Sequence, residues 1–472
     1  MIRRHDALGA DEDTGPVGPV AVFAFLFLLA ASPLMRGGNR HVALIVLEAA
    51  ALAFLVGLLA RTQASLRRPS LHGALLLLLL TSPAWLGLVY LLPIPAPLWA
   101  AAAGRAGYLP ALGSAAIQAP SWLPLSLVPD ATVSSLLAGI PLAAAFCGGY
   151  CMRQSQLALV LKLFVILVFL QVVMGLLQVA GGTGSSLYFG GPAGRPFGTF
   201  ANPNHFADYV AMGLCVYIWF AWTRTSQYRH PELHEHGFSP RLRLLALWAA
   251  GGMLLVIGIL ISRSRGAMLA GLPMAMCALA LVARSTAHTQ ARRAALIFTG
   301  LATLLAMSVV GFEFVLSRFD LESFGKDASF RGLLAETSFR GAAEFWPWGA
   351  GWGTYGMVYP RFQPPDIVGI ADYAHQDYAQ LLFEGGMFSV LLMAAFAWLA
   401  ISRAALLVRA GLRRHRLRRE ELLSAVCGLG LLGFLLHSLV EFDMHIPANA
   451  IMASLLAGIY LRPLGSEEAS GD

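Results

Sequence analysis

Gln156-Leu-Ala-Leu-Val-Leu-Lys-Leu-Phe-Val-Ile-Leu-Val-Phe-Leu-Gln-Val-Val-Met-Gly-Leu-Leu-Gln-Val-Ala180 decides the fold. The run is longer than the roughly 20 apolar residues that carry a helix across a bilayer. Its one basic residue, Lys162, stands near an end, where a long side chain snorkels to the headgroups. The whole chain shares this character: of 472 residues, 57% are hydrophobic and 12% charged. An average soluble protein carries about 25% charged residues. Mean hydropathy is +0.66. One soluble core of this length has no need of so much apolar sequence, so the composition points to a polytopic membrane protein.

Twelve runs are candidate spans: 17–35, 41–60, 72–92, 131–150, 156–180, 202–222, 244–261, 266–283, 294–316, 378–402, 422–440 and 447–461. The expected fold is all-α, with about twelve transmembrane helices in one integral membrane domain over residues 1–472. The first run lacks a convincing cleavage site and reads as an uncleaved helix. Cys147, Cys151, Cys215, Cys277 and Cys427 fall in or beside apolar runs without metal-ligand spacing, and read as small buried residues.

Arginine placement reports topology. With a cytoplasmic N-terminus, that side collects most arginines, including the cluster Arg413, Arg414, Arg416, Arg418 and Arg419, which suits anionic headgroups. The opposite side receives Arg36, Arg40, Arg105, Arg195, Arg263 and Arg265. Both termini then read as cytoplasmic. Two long loops lie on the far side. The first, 93–130, is rich in Pro and Trp; proline restricts helix there, and Trp suits the membrane interface. The second, 317–376, lies between the ninth and tenth spans. Its part 328–346 spaces Phe330, Leu333, Leu334, Phe339 and Ala343 as an amphipathic helix lying on the membrane surface. A Gly/aromatic turn, Trp346-Pro-Trp-Gly-Ala-Gly-Trp-Gly-Thr-Tyr355, follows.

The candidate chemistry sits at these far-side boundaries. Arg195 precedes Asn202-Pro203-Asn204 and a helix; Arg263 and Arg265 occupy a short turn between two spans. Placing them there works against the positive-inside bias, and a guanidinium fork matches phosphate. The competing reading is that they snorkel to lipid. His375, at the end of the large loop, can act as a base near neutral pH. Asp377 and Glu384 lie close in sequence. Asp443 and His445 offer an alternative, joining His375 as metal ligands, although no local spacing supports it.

Several stretches together carry a resemblance. They are the Pro/Trp loop around 92–126, Arg195 with Phe197-Gly-Thr-Phe-Ala-Asn-Pro-Asn204, Ser264-Arg-Gly-Ala267, Pro347-Trp-Gly-Ala-Gly-Trp-Gly-Thr354, His375-Gln-Asp-Tyr378 with Glu384-Gly-Gly386, and Phe442-Asp-Met-His-Ile-Pro-Ala-Asn-Ala450. In this order, over about residues 85–460, the chain resembles the superfamily of bacterial O-antigen ligases and Wzy-type O-antigen or exopolysaccharide polymerases.

That resemblance implies a GT-C-like glycosyltransferase of the bacterial inner membrane, with its active site facing the periplasm. The implied donor is a glycan on undecaprenyl diphosphate; the implied acceptor is another glycan or a lipid A–core. The reaction it implies is an inverting, metal-independent displacement with His375, Arg265 and Arg195 catalytic. We expect Arg263, Asn202, Asn204, Asp377 and Glu384 to bind substrate. No cofactor and no nucleic-acid partner is expected; membrane lipid is. A multi-helix transporter of an anion or lipid-linked sugar is the competing class, although neither repeated halves nor midplane ionisable groups are evident. A non-catalytic scaffold is a third.

Overall fold

Inside lipid a backbone must satisfy its own polar groups, and a helix does so within one segment. The computed structural model describes residues 17–61, 70–189, 194–226, 240–285 and 321–464, and follows that rule. In chain order its larger helices are α1 (Pro19–Leu34), α2 (His41–Leu59), α3 (Leu71–Leu80) and α4 (Ser82–Leu91). After two short loop helices, α5 (Ala96–Ala101) and α6 (Tyr108–Ser114), come α7 (Pro129–Cys151), α8 (Gln154–Ala180), α9 (Pro203–Ser226), α10 (Pro240–Ser262) and α11 (Leu272–Arg284). The last five are α12 (Leu321–Glu344), α13 (Tyr355–Val358), α14 (Asp377–Arg414), α15 (Arg419–His437) and α16 (Pro447–Leu461).

Among the described residues, eight helices are long and apolar enough to cross a membrane. The chain is a multi-pass membrane protein. The expected span 72–92 is instead the pair α3 and α4, bent by 57°. Pro83 in the first turn of α4 cannot continue the ladder of α3. The apolar helices α1 and α16 have 16 and 15 residues. The expected helix 294–316 lies outside the described residues. Helix α9 sits centrally, packed by α8, α10, α15 and α16, so every polar side chain it carries needs a partner from those neighbours.

Both long loops fold into a cap. In the first, Pro93–Pro95 pairs antiparallel with Trp122–Pro124, and α5 and α6 lie between them. Proline thus opens α5 rather than excluding helix, as its fixed φ allows in a first turn. Trp99 is buried and donates from Nε1 to the Pro124 carbonyl at 2.8 Å, so it packs the loop rather than marking a lipid interface. In the second loop, the inner face of α12 is not the one its apolar spacing suggests. Phe330 and Phe339 are exposed, while Leu334, Thr337 and Ser338 are fully buried. Thr337 and Ser338 share hydrogen bonds of 2.7 Å with the Tyr359 and Tyr355 hydroxyls. Partnered hydroxyls made a polar-looking stripe the buried one. The helix docks on the loop's own core of Phe345, Tyr355, Tyr359 and Phe383, and on α14.

Arg105 joins the loops. It is fully buried and donates to the carbonyls of Leu125 at 2.6 Å and Gly349 at 2.8 Å. Burial lowers its guanidinium to about 10. Helix α14 runs to Arg414, beyond the expected 402, and breaks at Gly386, where φ is 51° and ψ −127°. There the Gly/aromatic turn lies against it backbone to backbone, with Gly351 N donating to Glu384 O at 2.8 Å and Met387 N to Pro347 O at 2.8 Å. A Cβ at Gly386 would fall 2.3 Å from the Pro347 carbonyl oxygen.

Candidate active site

His375 enters the site through the start of α14. Asp377 is buried; its amide donates to Ser438 O at 3.0 Å, and its carboxylate holds Met444 N at 2.9 Å and His445 Nδ1 at 2.7 Å. Burial opposes a charged His445, but the Asp377 hydrogen bond outweighs it and raises the imidazole above its ordinary value. Asp377 therefore pins the loop's end to the α15–α16 connection. The pin leaves His375 in the left-handed region, φ 48°, and sets its Nδ1 3.2 Å from Glu441 Oε1.

Glu441 is the centre of the site. It is fully buried and receives His375, Arg331 Nη2 at 3.0 Å and Asn204 Nδ2 at 3.3 Å. Arg331, on α12, also donates to the Val440 carbonyl. Burial alone would raise this carboxyl, but the His375 hydrogen bond and the Arg331 charge hold it down at about 2. An ionised carboxylate only accepts. In a neutral His375 imidazole the proton therefore sits on Nδ1, and Nε2 carries the free lone pair.

The same network reaches Arg195. Asn202 Oδ1 accepts Asn204 N at 2.8 Å, a turn that starts α9. Asn204 then bridges: its Nδ2 donates to Glu441, and its Oδ1 accepts Arg195 Nη2 at 3.0 Å. Arg195 also donates to the carbonyls of Ser262 at 2.9 Å and Arg263 at 3.3 Å. That ties it to the turn bearing Arg263 (φ 55°) and the half-buried Arg265. A π-helical turn, Ala267–Gly271, follows at once; such turns recur at functional sites.

Beneath this turn lies a buried polar cluster that the sequence reading did not anticipate. His437 Nδ1 is 3.2 Å from Asp208 Oδ1 and 3.1 Å from Asp443 Oδ2. Asn449 Nδ2 donates to Asp443 at 3.0 Å. Burial, opposed by His437 and aided by Asp208, raises the Asp443 carboxyl. The His437 ring fills the space beside Gly266, where a Cβ would fall 2.1 Å from it. Asp208, His437 and Asp443 approach within 4.8 Å, close enough to share a proton or a cation. The alternative metal set of His375, Asp443 and His445 does not form: His445 is taken by Asp377, and Asp443 by His437 and Asn449.

The structure thus brings His375, Asn204, Arg195 and the Arg263–Arg265 turn together, with Asn202 on an adjoining cavity of about 370 Å³. Asp377 and Glu384 are instead engaged within the protein. The Glu384 oxygens accept Gly353 N at 2.8 Å and Tyr355 N at 3.1 Å, which caps α13 and secures the Gly/aromatic turn. A family model described as O-antigen ligase matches residues 250–394. Over that stretch the chain is similar to the O-antigen ligase family. The matched stretch holds the Arg263–Arg265 turn, the large loop and His375, which makes this a membrane protein of glycan transfer. None of the curated proteins compared with the chain matches it. Within this site, the sequence reading passed over Glu441, Arg331, His205, Asp208 and His437. Ionisable residues at the ends of apolar helices were the available signal.

Proposed function

We propose that this chain transfers a glycan from undecaprenyl diphosphate to an acceptor hydroxyl at the periplasmic face of the bacterial inner membrane. The hydrogen-bond chain Arg195–Asn204–Glu441–His375 carries this reading, because it couples an arginine beside the Arg265 turn to a base whose tautomer is fixed. His375 Nε2 takes the proton of the acceptor hydroxyl. The oxygen attacks the anomeric carbon from the side opposite the diphosphate, and that carbon's bond to the phosphate oxygen breaks. The electron pair leaves with the prenyl diphosphate, and configuration inverts. Glu441 stabilises the imidazolium that forms, as the carboxylate does in a Ser-His-Asp triad.

The leaving diphosphate needs its charge met. Arg265 is the residue for this, with Arg263 beside it; an ion-dipole environment of limited water strengthens such contacts. Arg195 is already bonded to the turn backbone and to Asn204, so its part is to hold that turn as well as to add charge. The acceptor is a second lipid-linked glycan in a polymerase or a lipid A–core in a ligase. Polymerase is favoured by the absence of a dedicated acceptor module in the sequence.

Substitution and complementation test this. In a deletion strain, His375→Ala and Arg265→Ala should fail to restore glycan transfer while remaining in the membrane, and Arg265→Lys should fail too for want of the planar fork. Restoration by both alanine variants sinks the assignment. Glycans left as single repeats mark a polymerase; long glycans left on the diphosphate lipid mark a ligase. Transfer that persists in chelator supports direct displacement. Loss in chelator, restored by a divalent ion, would move part of the chemistry to Asp208, His437 and Asp443. A transporter reading predicts uptake into vesicles with no new glycosidic bond.

A further inference from the structure

The cavity of about 370 Å³ beside His375 is lined on its far side by Arg36 and Asn39, from the α1–α2 turn, and by Asn202, His205 and Tyr373. Its volume lies at the lower end of the roughly 300–1,000 Å³ of ligand pockets, with space for about one or two sugar rings. Two polar atoms on its lining residues are buried without a hydrogen-bond partner among the described residues: Arg36 Nε and His205 Nε2. Buried polar atoms are nearly always satisfied, so two around one cavity point to a ligand.

Arg36 is unusual in two further ways. Its one hydrogen bond among the described residues is a long one, Nη1 to Phe189 O at 3.3 Å, and no carboxylate pairs with it there. Glu441, a buried anion of the site, is engaged by Arg331, His375 and Asn204 instead. Its backbone also holds φ at 61°, a left-handed conformation that glycine adopts freely and arginine does not. A strained position kept for a side chain without a counter-ion among the described residues is what a binding residue looks like.

We infer that this cavity seats the accepting sugar and that Arg36 binds it, an inference that rests on the glycosyl-transfer reading above. A guanidinium only donates, so it meets sugar hydroxyl or ring oxygens; Asn39 and Asn202 both donate and accept, which is what hydroxyl groups require. The seat adjoins His375, so Arg36 helps choose which hydroxyl reaches Nε2. It recognises acceptor, whereas the Arg265 turn faces the donor's diphosphate.

Arg36→Gly is the decisive variant, because φ 61° suits glycine and the fold is kept. Arg36→Gln is the second. The assay uses the full-length protein in proteoliposomes. The donor is isotope-labelled long glycan on the diphosphate lipid; the acceptor is unlabelled, either single-repeat diphosphate lipid for a polymerase or lipid A–core for a ligase, so that the two are varied independently. With donor fixed and acceptor varied, both variants should raise the acceptor KM about tenfold or more, with kcat within about threefold and donor KM unchanged. Arg36→Gly should also leave the thermal midpoint equal or higher. Wild-type acceptor KM in both variants overturns the seat alone. A raised donor KM instead assigns the cavity to the donor and also overturns it. Failure of the wild-type protein to form any glycosidic bond overturns the glycosyl-transfer reading itself.

Discussion

Replacing Glu441 by glutamine changes one atom and should slow transfer by about 10²-fold. The carboxylate accepts His375, Arg331 and Asn204 on Oε1, and Asn204 again on Oε2. A glutamine oxygen can keep the first set only if its amide group faces Asn204 Nδ2, donor against donor. If Asn204 flips to relieve this, its Oδ1 leaves Arg195 Nη2, a bond of 3.0 Å. One substitution therefore disturbs both His375 and Arg195. The same carboxylate-to-amide change in a buried Ser-His-Asp triad costs about 10⁴-fold, through the wrong imidazole tautomer. Here the His375 side chain is 31% exposed and the contact is 3.2 Å, so solvent supplies part of the compensation. About 10²-fold corresponds to about 2.7 kcal/mol of barrier. The assay is single-turnover transfer in proteoliposomes at saturating donor and acceptor. A rate within about threefold of wild type would refute the role. So would a Glu441→Gln, His375→Ala double variant whose losses multiply, because groups acting as one unit do not add.

Two further outcomes follow from the same geometry. Glu441 is held at about 2 against an ordinary 4.5, so its stabilisation is present above pH 4.5 and lost as pH falls toward 2. The loss amounts to about 3 kcal/mol; thermal midpoints in detergent should fall over that window in wild type and fall less in Glu441→Gln, and parallel curves would count against it. Gly266→Ala should cost about 1–3 kcal/mol by overpacking against His437 and lower transfer at least about tenfold by displacing Arg265. Gly332→Ala, on a helix with nothing within 4 Å of the new Cβ, should be neutral in both measurements.

The spans were legible because an apolar run such as 156–180 admits one solution in lipid. Boundaries slipped where a residue acts through the backbone, as Pro83 does at the α3–α4 bend and Gly386 at the break in α14. His375 and the arginines stand out in the sequence against their surroundings, and the structure sets His375, Arg195 and the Arg263 backbone on one hydrogen-bond network. Glu441 was harder: it sits among Phe442, Asp443 and His445 in one tail, and only folding separates the carboxylate that meets His375 from the one that meets His437. Asp377 and Glu384 show the opposite case. They lie near His375 in sequence, yet backbone amides and His445 occupy their oxygens. Nearness along the chain says little about facing, since a helix turns neighbours apart.

Arg105 grips the two loops through main-chain oxygens, at Leu125 and Gly349. Every amino acid supplies that oxygen. Homologous chains can therefore rewrite the side chain at position 125 without loosening the joint, provided the arginine stays and the backbone keeps its course. Paired sequence changes, the usual trace of two segments that touch, should be faint here. The cap's two halves can drift apart in composition, each adapting to a different glycan, while remaining one rigid piece.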